Sequence, residues 1–314
     1  MKFNNNITLG KKLILKAAGK INLYLNVKKN SRDDGYHEIK SIMQSVSLSD
    51  ELCFEVNERD PDNEEYRESG NGIFITSNNV DIPLDEKNLV HKAALLILDS
   101  FNLREKYNLK ISITKHIPVC AGLAGGSTNA AATLVALDKL FNLNIRTNNL
   151  LELASMIGSD VPFCVSGGTA LAEGRGEKVS KLPDLPFCWV VLANNDKKFL
   201  SRDVYKKFDL VGKEKKSAHI DLTNNILNKK FDNFFKGLEN DLETIVADED
   251  GIVSLIKQRA LALGALQAQM TGSGPTVFAF CSDLKVARRV YEGLNTIAGE
   301  TFLSHTVSKS LSFV

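Results

Sequence analysis

Residues 121–129 read AGLAGGSTN and run straight into AAATLVALDKLF, so three glycines and two hydroxyl side chains stand at the mouth of a good helix. A helix N-terminus carries unpaired backbone N–H groups and a partial positive charge, which suits a phosphate. Glycines at 122, 125 and 126 remove Cβ atoms that would hold an anion off the backbone. Ser127 and Thr128 can donate hydroxyl hydrogen bonds, or one of them can ligate a phosphate-bound magnesium ion. The loop is no Walker A sequence, because no Gly-Lys-Ser/Thr follows, and it lacks G-x-G-x-x-G spacing. A plain glycine turn with a Ser/Thr N-cap fits the same letters, so taken alone the loop leaves both readings open. A second glycine turn, TGSGPTVF at 271–278, sits between strand-like QAQM and TVFAF. It suits a tight hairpin, but two such loops in one chain favour a nucleotide or a diphosphate as ligand.

These loops need a scaffold, and the chain is long enough to build one. With 314 residues, 43% hydrophobic and 25% charged, it can bury a large core as one large or two ordinary domains. A net charge of +1 supplies no concentrated basic field for nucleic acid or a membrane surface. Five dispersed cysteines without a CxxC pair suggest reduced thiols rather than a disulfide framework. The five histidines form no HExxH and join no cysteine cluster, so no protein-built metal site is expected. No stretch approaches the roughly 20 apolar residues of a membrane span, and MKFNNNITLGKK lacks the apolar core of a signal peptide. A cytoplasmic protein is expected.

Periodicity places the elements. LILKAAGKINLYLNVKK alternates as strand, with Ile21, Leu23 and Leu25 toward the core and Asn22, Tyr24 and Asn26 on a wet face. The stretch before Lys16 reads as a short extension, SRDDGYH at 31–37 as a turn, and IMQSVSLSDELCFEV as strand. The charged run 55–68 reads as a solvated loop. A helix is expected over 87–101, a strand over 109–115, and a helix from about Asn129 with Ala130, Leu134, Leu137 and Phe141 on one face. Further helices fall at 150–158, 254–265 and VARRVYEGLNTI, and strands at GTALAEGRGEKVSKL, CWVVLAN, QAQM, TVFAF and TVSKSLSFV. The Lys- and Asn-rich residues 196–235 give no clear pattern. Helices and strands mix without βαβ alternation, which points to α+β. The two prolines of LPDLP divide the chain into 1–182 and 183–314.

In order, AGKINLYLNV (18–27), PVCAGLAGGSTNAA (118–131) and MTGSGPTVFAF (270–280) resemble the three signature motifs of the GHMP kinases. This group includes galactokinase, homoserine kinase and mevalonate kinase. DGYHEIKSIMQSVSLSDEL (34–52), GSDVPFCVSGGTALAEGRGE (158–177) and ENDLE (239–243) resemble its branch that phosphorylates 4-diphosphocytidyl-2-C-methyl-D-erythritol with ATP. The resemblance implies a two-domain α+β GHMP kinase fold. Its N-terminal, ATP-binding domain is like domain 2 of ribosomal protein S5, its C-terminal domain is ferredoxin-like, and the substrates meet between them. It also implies phosphorylation of a 2-hydroxyl in the non-mevalonate route to isoprenoid precursors. ATP with Mg2+ and the small-molecule acceptor are the only ligands expected. A homoserine- or mevalonate-type kinase, or a non-catalytic sensor on the same fold, would share the three motifs.

The resemblance also assigns roles. Asp160 in GSDVPF matches the catalytic aspartate that orients the hydroxyl and takes its proton late, although the letters also suit a helix cap. Lys20 matches the motif-one lysine that neutralises developing charge and holds Asp160. Asn22 orients the acceptor. Tyr36 by stacking and His37 by hydrogen bonds chiefly from its backbone recognise cytosine, with Tyr205 as a second aromatic, though NNDKK departs there from the family's proline-containing loop. Gly122, Leu123, Gly125, Gly126, Ser127 and Thr128 wrap the ATP phosphates and Asn88 meets the adenine. Gly272, Ser273 and Gly274 shape the diphosphate site. Cys120 stands where glycine is common.

Overall fold

The computed structural model describes residues 9–60, 72–195, 197, 199–213 and 219–314. Residues 1–8 and the charged run from 61 onward lie outside the described residues, as do parts of 196–235. Two long antiparallel strands, β1 (Lys12–Val27) and β2 (Ile39–Glu58), form the spine of the molecule. β1 begins at Lys12, so the stretch expected to be an extension up to Lys16 is partly strand, and residues 55–58 of the expected loop belong to β2.

The first sheet adds β3 (Ile73–Ser77), β4 (Tyr107–Thr114), β5 (Thr169–Gly174), β6 (Lys178–Lys181), β8 (Glu239–Asn240) and β12 (Leu311–Phe313). Its main path runs β12-β1-β2-β4-β3, with β5 on the opening half of β2, β6 on β5, and β8 on β1. Helices α1 (Leu89–Ser100), α2 (Gly125–Leu140), α3 (Thr147–Ile157) and α4 (Val161–Ser166) pack their apolar residues against it. α2 starts at Gly125, not near Asn129: the glycines form its first turn, which follows Ala124 in the left-handed region at φ 56°.

A second sheet takes β7 (Trp189–Asn194), β9 (Gln267–Met270), β10 (Val277–Cys281) and β11 (Glu300–His305) in the order β11-β7-β10-β9. Numbered one to four, these strands run 4-1-3-2, the ferredoxin-like arrangement. Helices α5 (Ser201–Val211) and α6 (His219–Leu227) occupy the stretch that periodicity left unassigned. Helices α7 (Glu243–Asp250), α8 (Ile252–Ala262) and α9 (Leu284–Leu294) complete this half.

β1 feeds three apolar clusters. Leu15 and Ala17 join the helices on the first sheet, Leu25 and Val27 join the second sheet's helices, and Ile21, Leu23 and Tyr24 join Val190, Leu192 and Phe278 between the sheets. The expected wet face is therefore absent. Asn22, Tyr24 and Asn26 are 2%, 1% and 7% exposed, because the second layer covers the side that a two-layer domain would leave open. A buried asparagine needs partners, and those of Asn22 lead to the site.

Candidate active site

Lys20, Ile21 and Asn22 pair with Ser45, Gln44 and Met43 of β2, between register shifts at Ala18/Lys20 and Asn22/Tyr24. Such irregularities re-aim side chains. Here they accompany a buried ammonium: Lys20 is 4% exposed. Its Nζ donates to Asn22 Oδ1 at 2.6 Å and to the Gly122 carbonyl at 3.0 Å, and lies 3.6 Å from Asp160 Oδ2. The Asp160 side chain keeps 31% of its surface open. Asp160 occupies the N-cap position of α4 but makes no side-chain capping bond, so its carboxylate is turned to Lys20 and the open side.

Both glycine loops meet at this point. Lys20 N–H donates to the Leu123 carbonyl at 3.0 Å. Gly122 has φ 75°, and a Cβ there would lie 2.4 Å from the Thr271 carbonyl oxygen, so the loops touch backbone to backbone. Thr271 Oγ1 accepts from Asn22 N–H at 2.9 Å and donates to Asn22 Oδ1 at 3.2 Å. Asn22 Nδ2 donates to Ser41 Oγ at 2.8 Å, and the Ser41 hydroxyl donates to the Tyr24 carbonyl at 2.7 Å. Asn22 is thus locked by its neighbours and in turn fixes the Lys20 ammonium.

The first turn of α2 divides the expected phosphate ligands. Gly126 is exposed, and Gly125 and Ser127 are half-buried. The N–H groups of these three have no partner within the helix. Thr128 differs: its N–H donates to the Ala124 carbonyl at 2.9 Å, and its side chain is fully buried beside the Cys164 thiol. Ser127, not Thr128, is the hydroxyl at the surface of the loop. The Leu123 side chain lies in the core between the sheets, leaving only its backbone to the loop. Asn88 caps α1, accepting from Val90 N–H at 2.9 Å and donating to the Pro83 carbonyl at 2.6 Å. Leu89 beside it reaches within 3.8 Å of a Cβ built on Gly126, so the cap borders the loop.

The second glycine turn is tied down from behind. Asn240 Nδ2 donates to the Met270 and Gly272 carbonyls, both at 2.9 Å. Ser273 is 7% exposed, with its Oγ 2.8 Å from Ser201 Oγ, and Gly274 N–H closes the turn on the Thr271 carbonyl.

The residues expected at a base gather at one edge. Tyr36 is 48% exposed, with the Arg175 guanidinium 5.0 Å from its ring centre. His37 lies 5.0 Å from the Tyr205 ring, tilted by 35°. Burial pushes the Tyr205 phenol up, and the negative charge of Asp160 adds to the shift, which links this edge to the carboxylate. Burial likewise raises the Cys164 thiol, reinforced by Asp160 and opposed by Lys20.

Residues 88–168 match the profile of the GHMP kinases N terminal domain, and residues 223–299 that of the GHMP kinases C terminal domain. The 4-diphosphocytidyl-2-C-methyl-D-erythritol kinase of Listeria innocua is 40% identical over 299 residues, covering 95% of this chain and 98% of its own. The chain belongs to this branch of the GHMP kinase family. The kinase of the same name from Caldanaerobacter subterraneus subsp. tengcongensis is 38% identical over 96% of the chain and all of its own length. A crystal structure titled 4-(cytidine 5'-diphospho)-2C-methyl-D-erythritol kinase superposes with a TM-score of 0.73 at 27% identity, covering 93% of this chain and 98% of that one. Homoserine kinase from Cytophaga hutchinsonii shares the fold, with a TM-score of 0.75 at 16% identity over 98% of both chains.

Several residues of this GHMP kinase site escaped the sequence reading. Thr271 carried a signal, standing directly before Gly-Ser-Gly, and Asn240 lay within the noted ENDLE segment. Ser41 and Asp50 likewise lay within the noted segment 34–52. Lys115 carried no signal: beneath the loop its Nζ donates to Asp50 Oδ2 at 2.8 Å and to the Ile117 carbonyl. Burial lowers the Lys115 pKa while Asp50 opposes the shift. A Cβ on Gly125 would come within 2.7 Å of this ammonium, so the glycine makes room for a cation that no local pattern announces.

Proposed function

We propose that this protein transfers the γ-phosphoryl group of ATP to the 2-hydroxyl of 4-diphosphocytidyl-2-C-methyl-D-erythritol, giving the 2-phosphate and ADP. One observation carries the reading. Lys20, Asn22, Asp160 and both glycine loops converge in a chain 40% identical to a kinase named for that acceptor. As the family resemblance implies, the step belongs to the non-mevalonate route to isoprenoid precursors.

The N–H groups of Gly125, Gly126 and Ser127 receive ATP's phosphates at the positive end of α2. Lys20 neutralises charge on the transferring group, and Asn22 together with the Gly122 carbonyl keeps its ammonium in place. Asp160 orients the 2-hydroxyl. The hydroxyl oxygen bonds to the γ-phosphorus as the bond from phosphorus to the β–γ bridging oxygen breaks, and the hydroxyl proton passes to the Asp160 carboxylate. A loose transition state asks little of that base until late. Tyr36, His37 and Tyr205 hold the cytosine, and the backbone of Gly272, Ser273 and Gly274 faces the acceptor's diphosphate.

Among the described residues no three His, Cys, Asp or Glu side chains cluster to hold a metal ion by themselves. The half-buried Ser127 at the mouth of α2 would hold by its hydroxyl a magnesium ion carried on ATP's phosphates, and that ion would neutralise the charge of those oxygens. No helix among the described residues is long and apolar enough to cross a membrane.

The test is ADP release from ATP and magnesium with the cytidyl acceptor, beside homoserine, mevalonate and galactose, with Asp160→Asn as the blank. Turnover confined to the cytidyl acceptor and abolished in the variant is expected. Turnover on another acceptor would refute the substrate. ATP binding without turnover on any acceptor would make the protein a sensor.

A further inference from the structure

We propose that Arg175 is a positioning residue for the acceptor's base, acting through the ring of Tyr36. The inference rests on the cytidyl substrate assigned above. The 31–37 loop fixes the backbone of Tyr36: its N–H donates to Asp34 Oδ1 at 3.1 Å, and its carbonyl accepts from Arg32 N–H at 2.6 Å. Neither bond holds the exposed ring, which is free to change rotamer unless something stops it. Among the described residues the cation over that ring is the Arg175 guanidinium, 5.0 Å from its centre. That distance is within the range of a cation–π contact.

Arg175 is itself anchored. It stands in the turn between β5 and β6, flanked by Gly174 and Gly176 at φ 71° and 115°. Its N–H donates to Glu177 Oε2 at 2.7 Å, which closes the turn, and its Nη2 donates to the Ser155 carbonyl at 2.6 Å. Ser155 lies in the last turn of α3, where carbonyls lack helical partners and the helix dipole favours a cation. The guanidinium is therefore a fixed stop behind Tyr36 and not a wandering surface charge. With one face of the ring covered, the other is left for the base to stack on. A cation behind the ring also offsets the negative quadrupole that the ring presents to the base, so the two π surfaces repel less. Arg175 touches neither base nor phosphate in this scheme. The same turn borders the catalytic side, since a Cβ on Gly176 would lie 3.5 Å from Ser159 Cβ, next to Asp160. A residue that served Asp160 would act on kcat, whereas one that serves Tyr36 acts on the acceptor's KM.

The experiment is a double-mutant cycle on the whole protein: wild type, Arg175→Ala, Tyr36→Leu and the two together, each with a thermal melt to show that it is folded. Arg175→Ala is expected to raise KM for the cytidyl acceptor about three- to tenfold. It should weaken binding of cytidine 5'-diphosphate, read by calorimetry, by a similar factor. kcat and the KM for ATP stay within about twofold. In the Tyr36→Leu background the platform is already gone, and adding Arg175→Ala moves the acceptor KM by less than about twofold. An acceptor KM unchanged in Arg175→Ala overturns the proposal. So does an equal rise in both backgrounds, which would mean that Arg175 works without Tyr36. A fall in kcat at constant acceptor KM overturns it too, and moves the residue to the Asp160 turn. Wild-type turnover on the cytidyl acceptor is measured in parallel, which separates failure of the substrate assignment from failure of this inference.

Discussion

Replacing Lys20 by methionine keeps most of the side-chain volume and removes the charge, and the structure sets two different magnitudes for the result. For folding, the variant loses the hydrogen bonds to Asn22 Oδ1 and the Gly122 carbonyl. Both acceptors keep the Thr271 hydroxyl within reach, at 3.2 and 3.4 Å. Asp160, 31% exposed, can be solvated once its partner is gone. Losing bonds from a charged donor costs about 1.5–3 kcal/mol each, offset in part because an ammonium need no longer be buried. A net loss of about 1–3 kcal/mol is expected. For catalysis, in the proposed function, the same charge faces the transferring phosphoryl group. Cations in that place contribute about 10³-fold or more to kcat, or about 4 kcal/mol of barrier. The assay pairs kcat for ADP release at saturating substrates with a urea melt. A kcat within about tenfold of wild type, with an unchanged m-value, would refute the reasoning and leave Lys20 as a structural ion.

Gly122→Ala puts a Cβ 2.4 Å from the Thr271 carbonyl in a left-handed residue. The conformation alone costs about 1–2 kcal/mol, so urea melts should show at least that loss and the KM for both substrates should rise together. An alanine that changes neither would mean the two loops do not share this contact. Cys120 is exposed, whereas Cys164 and Cys281 are buried and burial pushes the Cys281 thiol up to about 12. Alkylation of the native protein at pH 8 should therefore mark Cys120 first and spare the other two until unfolding, as read by peptide mass spectrometry. Asp283 caps α9 by accepting the Val286 N–H at 2.9 Å, and that bond holds its carboxyl below the ordinary value of 3.8. A depressed folded-state pKa gives stability that is present above 3.8 and lost as pH falls below it. The Tm gap between wild type and Asp283→Ala should be full at pH 7 and close as the pH drops past that value.

The loops were legible because backbone-led sites leave composition behind them. Glycine at 122 and 125 reports a Cβ that cannot fit. The partners that hold the site were not legible. Lys115 meets Asp50 and Asn240 meets Gly272 only because the topology folds distant segments together, and a single lysine or asparagine has no local signature. Alternation misplaced Asn22 and Tyr24 for the same reason: period two tells which side of a strand a residue takes, not whether a second sheet covers that side. Helices α5 and α6 escaped because few of their apolar residues are buried, Val204 and Phe208 in one and Leu222 and Ile226 in the other, while Leu210, Val211, Ile220 and Leu227 are exposed and blur the stripe.

β1 pairs with β12 along Leu15–Ala17 and with β8 at Tyr24 and Leu25, and Ala18 N–H reaches the Ser310 carbonyl at 2.7 Å. The strand that carries Lys20 is thus finished by residues translated nearly three hundred positions later. During synthesis the first sheet keeps an open edge until residues 311–313 have been made, so its closure waits on a contact of very long sequence separation. An expression fragment ending near residue 182 would keep that edge bare. It should aggregate where the whole chain does not.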